Sequence, residues 1–425
     1  MNKSNPKTSS DNYDVVVVGA GFSGMYLVKK LRDLGLNFVI LEQGGDVGGT
    51  WYWNRYPGAR CDIPTVEYSY SFDKELEQSW DWQELMAAQP EILTYANQVA
   101  DNYDLRDAMR FNTRVASADF DENENSWTVV TDTGDEYLAR YFIMATGCLS
   151  VPNWPDIEGR EDYAGRTIHT GLWPHEKVDF TGLRVGIIGT GSSAVQSIPE
   201  IAKTAKELKV FQRTPVYTFP AGNHPLDDDF RADIKARYED IRETQRGSLG
   251  GMAMFGVMGR LQEVGTEKIA DCSEEEREQR LVEEGLPSLR RYADVGLDLE
   301  ANEMACDLYR RHIADIIDDP ETAKALMPRG YPMGCKRQVV DIGYYEAFNR
   351  DNVSLIDLRE DPIERINESG VCTAGGQHDV DVLIYATGFD AMTGAINNVS
   401  ITGRSGTKLK DKWENGPRSY LGLQI

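Results

Sequence analysis

The sequence lacks any long apolar run, and this absence excludes a membrane-spanning helix. Nothing in the 425 residues approaches the roughly 18 consecutive apolar residues that such a helix needs. The N-terminal stretch MNKSNPKTSSDNY is polar and has no apolar segment of the kind found in a secretory signal. We therefore expect a cytoplasmic protein.

Cysteine and histidine are few and scattered. The six cysteines include no C-x-x-C pair, and the five histidines form no cluster. This pattern disfavours a disulfide framework, a flavoprotein reductase of the disulfide type and a zinc site. We predict no metal.

Basic charge is also in short supply. Lysine and arginine number 45 against 69 aspartate and glutamate residues, a net charge of −24. Nucleic acid and anionic membranes both require a positive surface, so neither is an expected partner.

The segment from residue 14 to residue 42 has the pattern of a dinucleotide-binding βαβ unit. The apolar run Asp14–Val18 predicts a buried parallel strand, and G-A-G-F-S-G at 19–24 follows it directly, matching G-x-G-x-x-G. A helical pattern comes next, then a second strand at Asn37–Leu41, closed by Glu42. Such glycines let the backbone approach a pyrophosphate, and the acid accepts hydrogen bonds from a ribose.

A second copy of this pattern begins about 170 residues later. Arg184–Ile188 predicts a buried strand, and G-T-G-S-S-A at 189–194 fits G-x-G-x-x-A. A helical stretch and the strand Leu208–Phe211 complete the unit. The chain therefore has two candidate dinucleotide sites.

The two copies differ where the nucleotide is chosen. Glu42 stands 23 residues after Gly19, whereas the same step from Gly189 reaches Gln212, with Arg213 next. A carboxylate would repel a 2′-phosphate, while an arginine pairs with it. The first site therefore suits FAD or NAD, and the second suits NADP.

Two further segments support a pair of nucleotide domains. The runs at 141–147 and 382–388 each predict a strand that ends in Ala-Thr-Gly. A glycine turn of this kind lets the chain pass close to a bound nucleotide and cross between domains.

Three local sequences now resemble those of the Baeyer–Villiger monooxygenases. G-G-T-W-Y-W-N-R-Y-P-G-A at 48–59 resembles the segment that covers the flavin in that family. Residues 163–174 resemble its fingerprint F-x-G-x-x-x-H-x-x-x-W-P, with Tyr163 in place of the usual Phe. Lys336-Arg337, followed by the stretch 343–353, is the third.

The resemblance implies an FAD- and NADPH-dependent enzyme acting on a ketone and O2. NADPH would reduce the flavin, O2 would form a C4a-peroxyflavin, and its attack on the carbonyl would give an ester or lactone, with sulfoxidation as a side activity. By position, Arg337 corresponds to the catalytic arginine and Asp62 to the carboxylate that orients it. Lys336 would assist Arg213 at the 2′-phosphate. The fingerprint residues are expected to couple the nucleotide domains: Gly165, His169, Trp173 and Pro174.

The motifs and the resemblance together predict the cofactor-binding residues. Around the first turn and the flavin-covering segment they are Gly19, Gly21, Phe22, Ser23, Gly24, Glu42, Gly49, Thr50, Trp51, Trp53, Asp62 and Tyr68. Around the second turn they are Gly189, Thr190, Gly191, Ser192, Ser193, Ala194, Gln196, Arg213, Thr214 and Lys336, with Ala386, Thr387 and Gly388 in the second Ala-Thr-Gly turn.

The expected fold class is α/β, with two Rossmann-like dinucleotide-binding domains for FAD and NADP and a helical insertion in the NADP domain. We place the FAD domain at 1–148 and 385–425, the NADP domain at 149–225 and 331–384, and the insertion at 226–330. The Met-rich stretch Gly247–Leu261 is either core or the lining of a substrate pocket. Members of the family normally continue past the point that corresponds to Ile425, so we expect the second part of the FAD domain to be truncated.

Other functions stay open at this point. One is a related flavin monooxygenase that oxidises nitrogen or sulfur, and another is a flavoprotein reductase or NADPH oxidase. A third is an inactive nucleotide-binding fragment. A monomer is slightly favoured, and the sequence does not identify the ketone.

Overall fold

The computed structural model describes residues 11–220, 222–248, 266–284, 286–289, 291–336 and 339–422. In these ranges the strands are β1 (Asp11–Val18), β2 (Phe38–Leu41), β3 (Met109–Arg110), β4 (Val115–Asp121), β5 (Ser126–Thr131), β6 (Glu136–Met144), β7 (Arg166–His169), β8 (Arg184–Ile188), β9 (Glu207–Gln212), β10 (Thr218–Pro220), β11 (Val339–Asp341), β12 (Val353–Asp357), β13 (Ile363–Asn367), β14 (Gly370–Thr373), β15 (Gly376–Asp379), β16 (Val382–Tyr385) and β17 (Ser400–Thr402).

The α-helices in the same ranges are α1 (Phe22–Asp33), α2 (Thr50–Trp53), α3 (Lys74–Ser79), α4 (Gln89–Asn102), α5 (Ser192–Ala202), α6 (Asp228–Gly247), α7 (Glu274–Glu284), α8 (Leu286–Leu289), α9 (Leu299–Ile316), α10 (Pro320–Leu326), α11 (Gly394–Asn397) and α12 (Leu409–Lys412). Short 3-10 helices lie at Leu105–Ala108, Arg160–Asp162, Thr170–Leu172, Ile269–Asp271, Glu346–Asn349 and Arg404–Gly406.

The chain divides into two compact units. The first comprises Met1–Asn54, Ile92–Asn153 and Phe389–Ile425, and the second comprises Arg55–Glu91 and Trp154–Gly388. Each unit contains its own parallel βαβ element, so the expected α/β class is confirmed.

The first unit is built on a seven-stranded sheet in the order β17-β4-β5-β6-β1-β2-β3. Strand β1 lies between β2 and β6 and is parallel to both, and its valines at 15–17 are at most 2% exposed. Helix α1 follows the first glycine turn and buries Met25, Val28 and Leu31 on one face. It ends at Asp33, and Gly35 then takes a left-handed conformation (φ +67°) that glycine adopts without strain.

The second unit is built on a five-stranded, wholly parallel sheet in the order β12-β9-β8-β16-β7. Strands β8 and β16 are apolar along most of their length and buried, and β9 buries Leu208, Val210 and Phe211, as expected for strands covered on both faces. Helix α5 follows β8 directly and buries eight of its eleven residues. Beside this sheet lie the two-stranded β10-β11 pair and the β13-β14-β15 meander.

The segment predicted as helical, 226–330, contains helices α6 to α10. Three of them start at an aspartate whose side chain accepts a hydrogen bond from the first turn: Asp227 for α6, Asp298 for α9 and Asp319 for α10. Most of the Met-rich stretch Gly247–Leu261 lies outside the described residues, so its assignment stays a prediction.

Residues 55–91 differ from the predicted domain boundary. The sequence interpretation placed them in the first domain, whereas in the structure they pack with the second unit. Backbone hydrogen bonds join Leu85 to His224 and Leu226 to Gln83. These partners are more than 100 residues apart in the chain, and local sequence patterns do not report such contacts.

No helix among the described residues is long and apolar enough to cross a membrane. Within the same ranges, no group of three or more His, Cys, Asp or Glu side chains is arranged to hold a metal ion.

Candidate active site

The first glycine turn has the close backbone contacts that a phosphate-binding turn requires. Gly19 has φ +107°, and a Cβ on it would lie 2.6 Å from the carbonyl oxygen of Ala145, in the first Ala-Thr-Gly turn. A Cβ on Gly24 would lie 1.9 Å from the carbonyl oxygen of Gly19. Gly21, the N-cap residue of helix α1, provides no side-chain cap. The helix N-terminus, with its partial positive charge, is therefore not covered by a capping side chain.

Glu42 is held against this turn. Its Oε2 accepts a hydrogen bond from the backbone N–H of Ala20, and its Oε1 accepts one from Gly44, both at 2.7 Å. Burial raises the pKa of Glu42, and these two hydrogen bonds oppose the rise. Because each carboxylate oxygen accepts two hydrogen bonds, acceptor capacity remains for ribose hydroxyls.

The G-G-T-W-Y-W segment lies on the first turn. A Cβ on Gly49 would lie 2.7 Å from the Cα of Gly21, so only glycine allows this approach. Helix α2 starts directly after it at Thr50 and contains Trp51, which is buried, and Trp53, which is half-buried. Along α1, Phe22 is half-buried and Ser23 is exposed.

The second glycine turn repeats the backbone geometry of the first. Gly189 has φ +109°, and a Cβ on it would lie 2.5 Å from the carbonyl oxygen of Ala386, in the second Ala-Thr-Gly turn. Gly191, the N-cap residue of helix α5, likewise provides no side-chain cap, and nothing lies within 4 Å of a Cβ placed on it. Ala194 stands where the first copy has Gly24 and is fully buried. The two turns are thus structural equivalents in separate units.

The residues predicted to choose the nucleotide follow β9. The carboxamide nitrogen of Gln212 donates to the carbonyl of Ala325 at 2.8 Å, and its buried Oε1 has no partner among the described residues. Arg213 is exposed at the end of the strand. The hydroxyl of Thr190, in the glycine turn, donates to the carbonyl of Thr214 at 3.0 Å and so holds this segment beside the turn.

The fingerprint histidine is buried and fully engaged. The Nδ1 of His169 accepts the backbone N–H of Gly171 at 3.0 Å, so Nε2 carries the proton and lies 3.3 Å from the hydroxyl of Thr387. Thr387 belongs to the second Ala-Thr-Gly turn, beside Gly388. The structure therefore connects the end of β7 to the end of β16 through this histidine.

The other fingerprint residues lie against neighbouring residues of the second unit. Trp173 is buried and packs on Phe180, while Pro174 is half-buried. A Cβ on Gly165 would lie 2.3 Å from the hydroxyl of Tyr163. That hydroxyl donates to the carbonyl of Val380 at 3.0 Å, so the Phe-to-Tyr difference gains a hydrogen bond.

Gln196 uses its side chain inside the protein. Its Oε1 accepts from the hydroxyl of Tyr56 at 2.9 Å and from the N–H of Arg60 at 3.4 Å, and its amide nitrogen donates to the carbonyl of Arg60 at 3.2 Å. A Cβ on Gly58 would lie 2.1 Å from the backbone oxygen of Gln196. Its predicted role as a cofactor ligand stays a prediction, and the structure shows it holding the 56–60 turn on α5.

The predicted catalytic residues fall partly outside the described ranges. Asp62 is half-buried, two residues after the turn that Gln196 holds. Burial raises the pKa of the Tyr56 hydroxyl well above its usual value, and the negative charge of Asp62 raises it further by a smaller amount. Tyr68 is half-buried and follows the same segment. Arg337 lies outside the described residues, and Lys336 beside it is exposed.

The residues present fit two dinucleotides. Each turn offers a helix N-terminus without a side-chain cap and glycines whose replacement would bring a Cβ against the backbone. The first turn has a carboxylate positioned for a ribose, and the second has an amide and an arginine at the equivalent place.

The sequence patterns did not predict the contact between Gln196 and the 56–60 turn.

Comparisons with known proteins agree with this arrangement. Residues 16–253 match the family described as pyridine nucleotide-disulphide oxidoreductase. The chain is 41% identical, over 98% of its length and 77% of the relative's, to 2-oxo-Δ3-4,5,5-trimethylcyclopentenylacetyl-CoA monooxygenase of Pseudomonas putida. It is also 41% identical, over 99% of its length and 76% of the relative's, to a Baeyer–Villiger monooxygenase of Pseudooceanicola batsensis.

A solved structure shows the same relationship in three dimensions. An oxidised steroid monooxygenase bound to NADP superposes with a TM-score of 0.90 and is 48% identical. The match covers 98% of this chain and 79% of that one.

Proposed function

This chain belongs to the Baeyer–Villiger monooxygenase family, and we propose that it converts a ketone into an ester or lactone using FAD, NADPH and O2. One oxygen atom of O2 enters the product beside the carbonyl and the other leaves as water, with two electrons from NADPH. The observation that carries the proposal is the repeated turn, in which Gly19 and Gly189 each lie against the carbonyl of an Ala-Thr-Gly alanine.

Each unit would hold one nucleotide. The first turn and Glu42 would bind FAD, and the second turn with Arg213 and Lys336 would bind NADPH. The arginine and lysine supply positive charge for the 2′-phosphate in a chain whose net charge is −24. Bound together, the two cofactors supply hydride transfer and oxygen activation.

The protein's own contribution to the chemistry would be a fixed cation. Arg337, by its place in the sequence, would stabilise negative charge that develops on the oxygen species attacking the ketone. Asp62 would orient that arginine. Gln196 and Tyr56 support this assignment because they fix the segment that carries Asp62 on helix α5.

The substrate would be a ring ketone. The name of the Pseudomonas relative refers to a cyclopentenyl compound, and the solved structure is named a steroid monooxygenase, so both names refer to molecules that contain rings. A cytoplasmic location and a monomeric state remain predictions.

The proposal is tested by product formation. Purified protein is supplied in air with FAD, NADPH and cyclohexanone or a steroid ketone, and NADPH loss, hydrogen peroxide and ester are followed together. Ketone-stimulated NADPH use with an ester yield close to one per NADPH is expected. NADPH use that yields only hydrogen peroxide would contradict the proposal, and so would oxidation of a tertiary amine with no ester from any ketone.

The role of Arg337 has its own test. Arg337→Ala should still bind FAD and be reduced by NADPH, yet form no ester, because only the oxygen-transfer step uses the fixed cation. The control is Arg365→Ala, which removes an exposed arginine of strand β13 that lies outside the three family-like segments and both turns. Normal ester yield from Arg337→Ala would remove this residue from the mechanism.

A further inference from the structure

Tyr331 connects two parts of the second unit that meet near the proposed 2′-phosphate site. Its hydroxyl donates to the carbonyl oxygen of Pro215 at 2.6 Å. Burial raises the pKa of Tyr331 to about 12, so the hydroxyl stays protonated and remains a donor. Its ring also packs edge-on against the ring of Tyr217, with the two centroids 5.4 Å apart. The ring is therefore held at its hydroxyl and along one side.

Lys336 lies over the face of this ring. The ammonium nitrogen is 4.5 Å from the ring centroid, which is within the range of a cation–π contact. Between the two residues, Gly334 has φ +94°, a conformation that glycine adopts without strain. The lysine is exposed, so its charge remains available to a ligand.

The other side of this arrangement is the segment that follows β9. Pro215, which accepts the tyrosine's hydrogen bond, is two residues after Arg213. Thr214 is bonded in turn to Thr190 of the glycine turn. A continuous chain of contacts therefore leads from the glycine turn, through residues 213–215 and Tyr331, to Lys336.

We propose that Tyr331 is a positioning residue for cofactor choice, and that its ring seats Lys336 beside Arg213 so that both cations meet the 2′-phosphate of NADPH. The inference rests on the proposed function, in which the second turn binds NADPH. Tyr331 itself does not contact the phosphate.

The physical reason is the flexibility of lysine. A free lysine side chain has about 2 kcal/mol of rotamer entropy to lose when it is ordered on a ligand. A lysine already resting on an aromatic face has lost part of that freedom before the nucleotide arrives. The gain applies only to a ligand that carries the 2′-phosphate, so it appears as selectivity for NADPH over NADH.

A tyrosine that merely braced the fold would behave differently. Its loss would weaken NADPH and NADH to the same extent, because both share the pyrophosphate and both ribose rings. The ratio between the two nucleotides therefore separates positioning from general support.

Binding of adenosine 2′,5′-bisphosphate and of 5′-AMP, measured by calorimetry on the full chain, tests the proposal without requiring turnover. Tyr331→Leu removes ring and hydroxyl and should weaken the bisphosphate roughly five- to tenfold, with 5′-AMP unchanged within about twofold. Tyr331→Phe keeps the ring but loses the bond to Pro215, so a smaller loss of roughly two- to threefold is expected. The control is Tyr344→Phe, whose buried hydroxyl has no partner among the described residues.

A double-mutant cycle identifies the path of the effect. In a Lys336→Ala background, Tyr331→Leu should cause no further loss of bisphosphate binding, since the tyrosine acts through that lysine. Equal losses with and without Lys336 would overturn the proposal, and so would equal losses for the two ligands. If the unmodified protein binds both ligands equally, the failure lies in the proposed NADPH site. In that case the inference falls with it.

Discussion

Glu77 and Arg242 form a buried ion pair that joins helices α3 and α6, and its removal should destabilise the second unit locally. The Nε of Arg242 donates to Glu77 at 2.7 Å, and each side chain is 7% exposed. The two terminal nitrogens of the Arg242 guanidinium donate to the side chains of Gln245 and Ser69, both at 2.8 Å. A charge left alone in such surroundings is costly.

The magnitude follows from burial. Removing one partner of a buried pair typically costs about 3–5 kcal/mol. Because Arg242 keeps its bonds to Ser69 and Gln245, we expect the lower end, about 3 kcal/mol, for Glu77→Leu. Removing both charges together, in Glu77→Leu/Arg242→Met, should recover much of the loss, since an apolar pair of similar size needs no desolvation.

The same two helices supply the control. Lys74 and Glu239 also join α3 to α6, at 3.5 Å, but their side chains are 82% and 80% exposed. An exposed pair of this kind contributes roughly 0–1 kcal/mol, so Glu239→Leu should have little effect.

Hydrogen exchange of the α6 amides, followed by mass spectrometry, measures the local opening free energy without requiring the whole chain to unfold in one step. A loss of about 3 kcal/mol corresponds to exchange faster by roughly 100-fold. If Glu77→Leu accelerates exchange less than about tenfold, or no more than Glu239→Leu, the assigned role of the pair is wrong.

Three further predictions concern the turns and one buried acid. Gly24→Ala would place a methyl group 1.9 Å from the carbonyl oxygen of Gly19, so the purified variant should lose visible flavin absorbance at least roughly tenfold per mole of protein. Burial raises the pKa of Asp341 to about 6 from 3.8. Because the pKa of this carboxyl is higher in the folded protein than in the unfolded chain, protonation stabilises the fold; this contribution is fully present below about pH 4 and is lost as the pH rises through 6. The free energy of unfolding, measured by urea denaturation, should therefore fall between about pH 4 and pH 6, and Asp341→Asn should reduce that fall. Gln196→Leu removes the hydrogen bonds that fix the segment carrying Asp62, so it should lower the ester formed per NADPH consumed, and unchanged coupling would refute that role.

Local patterns predicted the two nucleotide turns because their chemistry is contiguous in the chain. Strand β8 has the predicted bounds, and β2 starts one residue later than predicted. Strand β1 starts at Asp11, three residues earlier than predicted, because its first residues pair with β6 from Tyr137 onward. That partner is more than 120 residues away, and a strand's polar first residues give no periodic signal by themselves.

The supporting contacts were beyond the reach of sequence patterns. Tyr56 meets Gln196 across 140 positions, and Tyr331 meets Pro215 across 116. Each is an ordinary polar or aromatic residue whose role depends on what packs against it. The placement of residues 55–91 with the second unit arises from the same kind of long-range contact.

The comparison of the two turns explains how one backbone serves two nucleotides. The N–H of Gly19 donates to Leu41 at 2.8 Å, and that of Gly189 donates to Phe211 at 3.0 Å, so the next residue stands at the same point in each unit. At that point Glu42 brings a negative charge, whereas Gln212 brings a neutral amide and is followed by Arg213. With the backbone the same, the electrostatic preference at this point must come from side chains. In the proposed assignment, this one position and the cations Arg213 and Lys336 of the second unit set that preference. Exchanging Glu42 and Gln212 alone should therefore weaken each site without exchanging their preferences, because Arg213 and Lys336 would stay with the second turn.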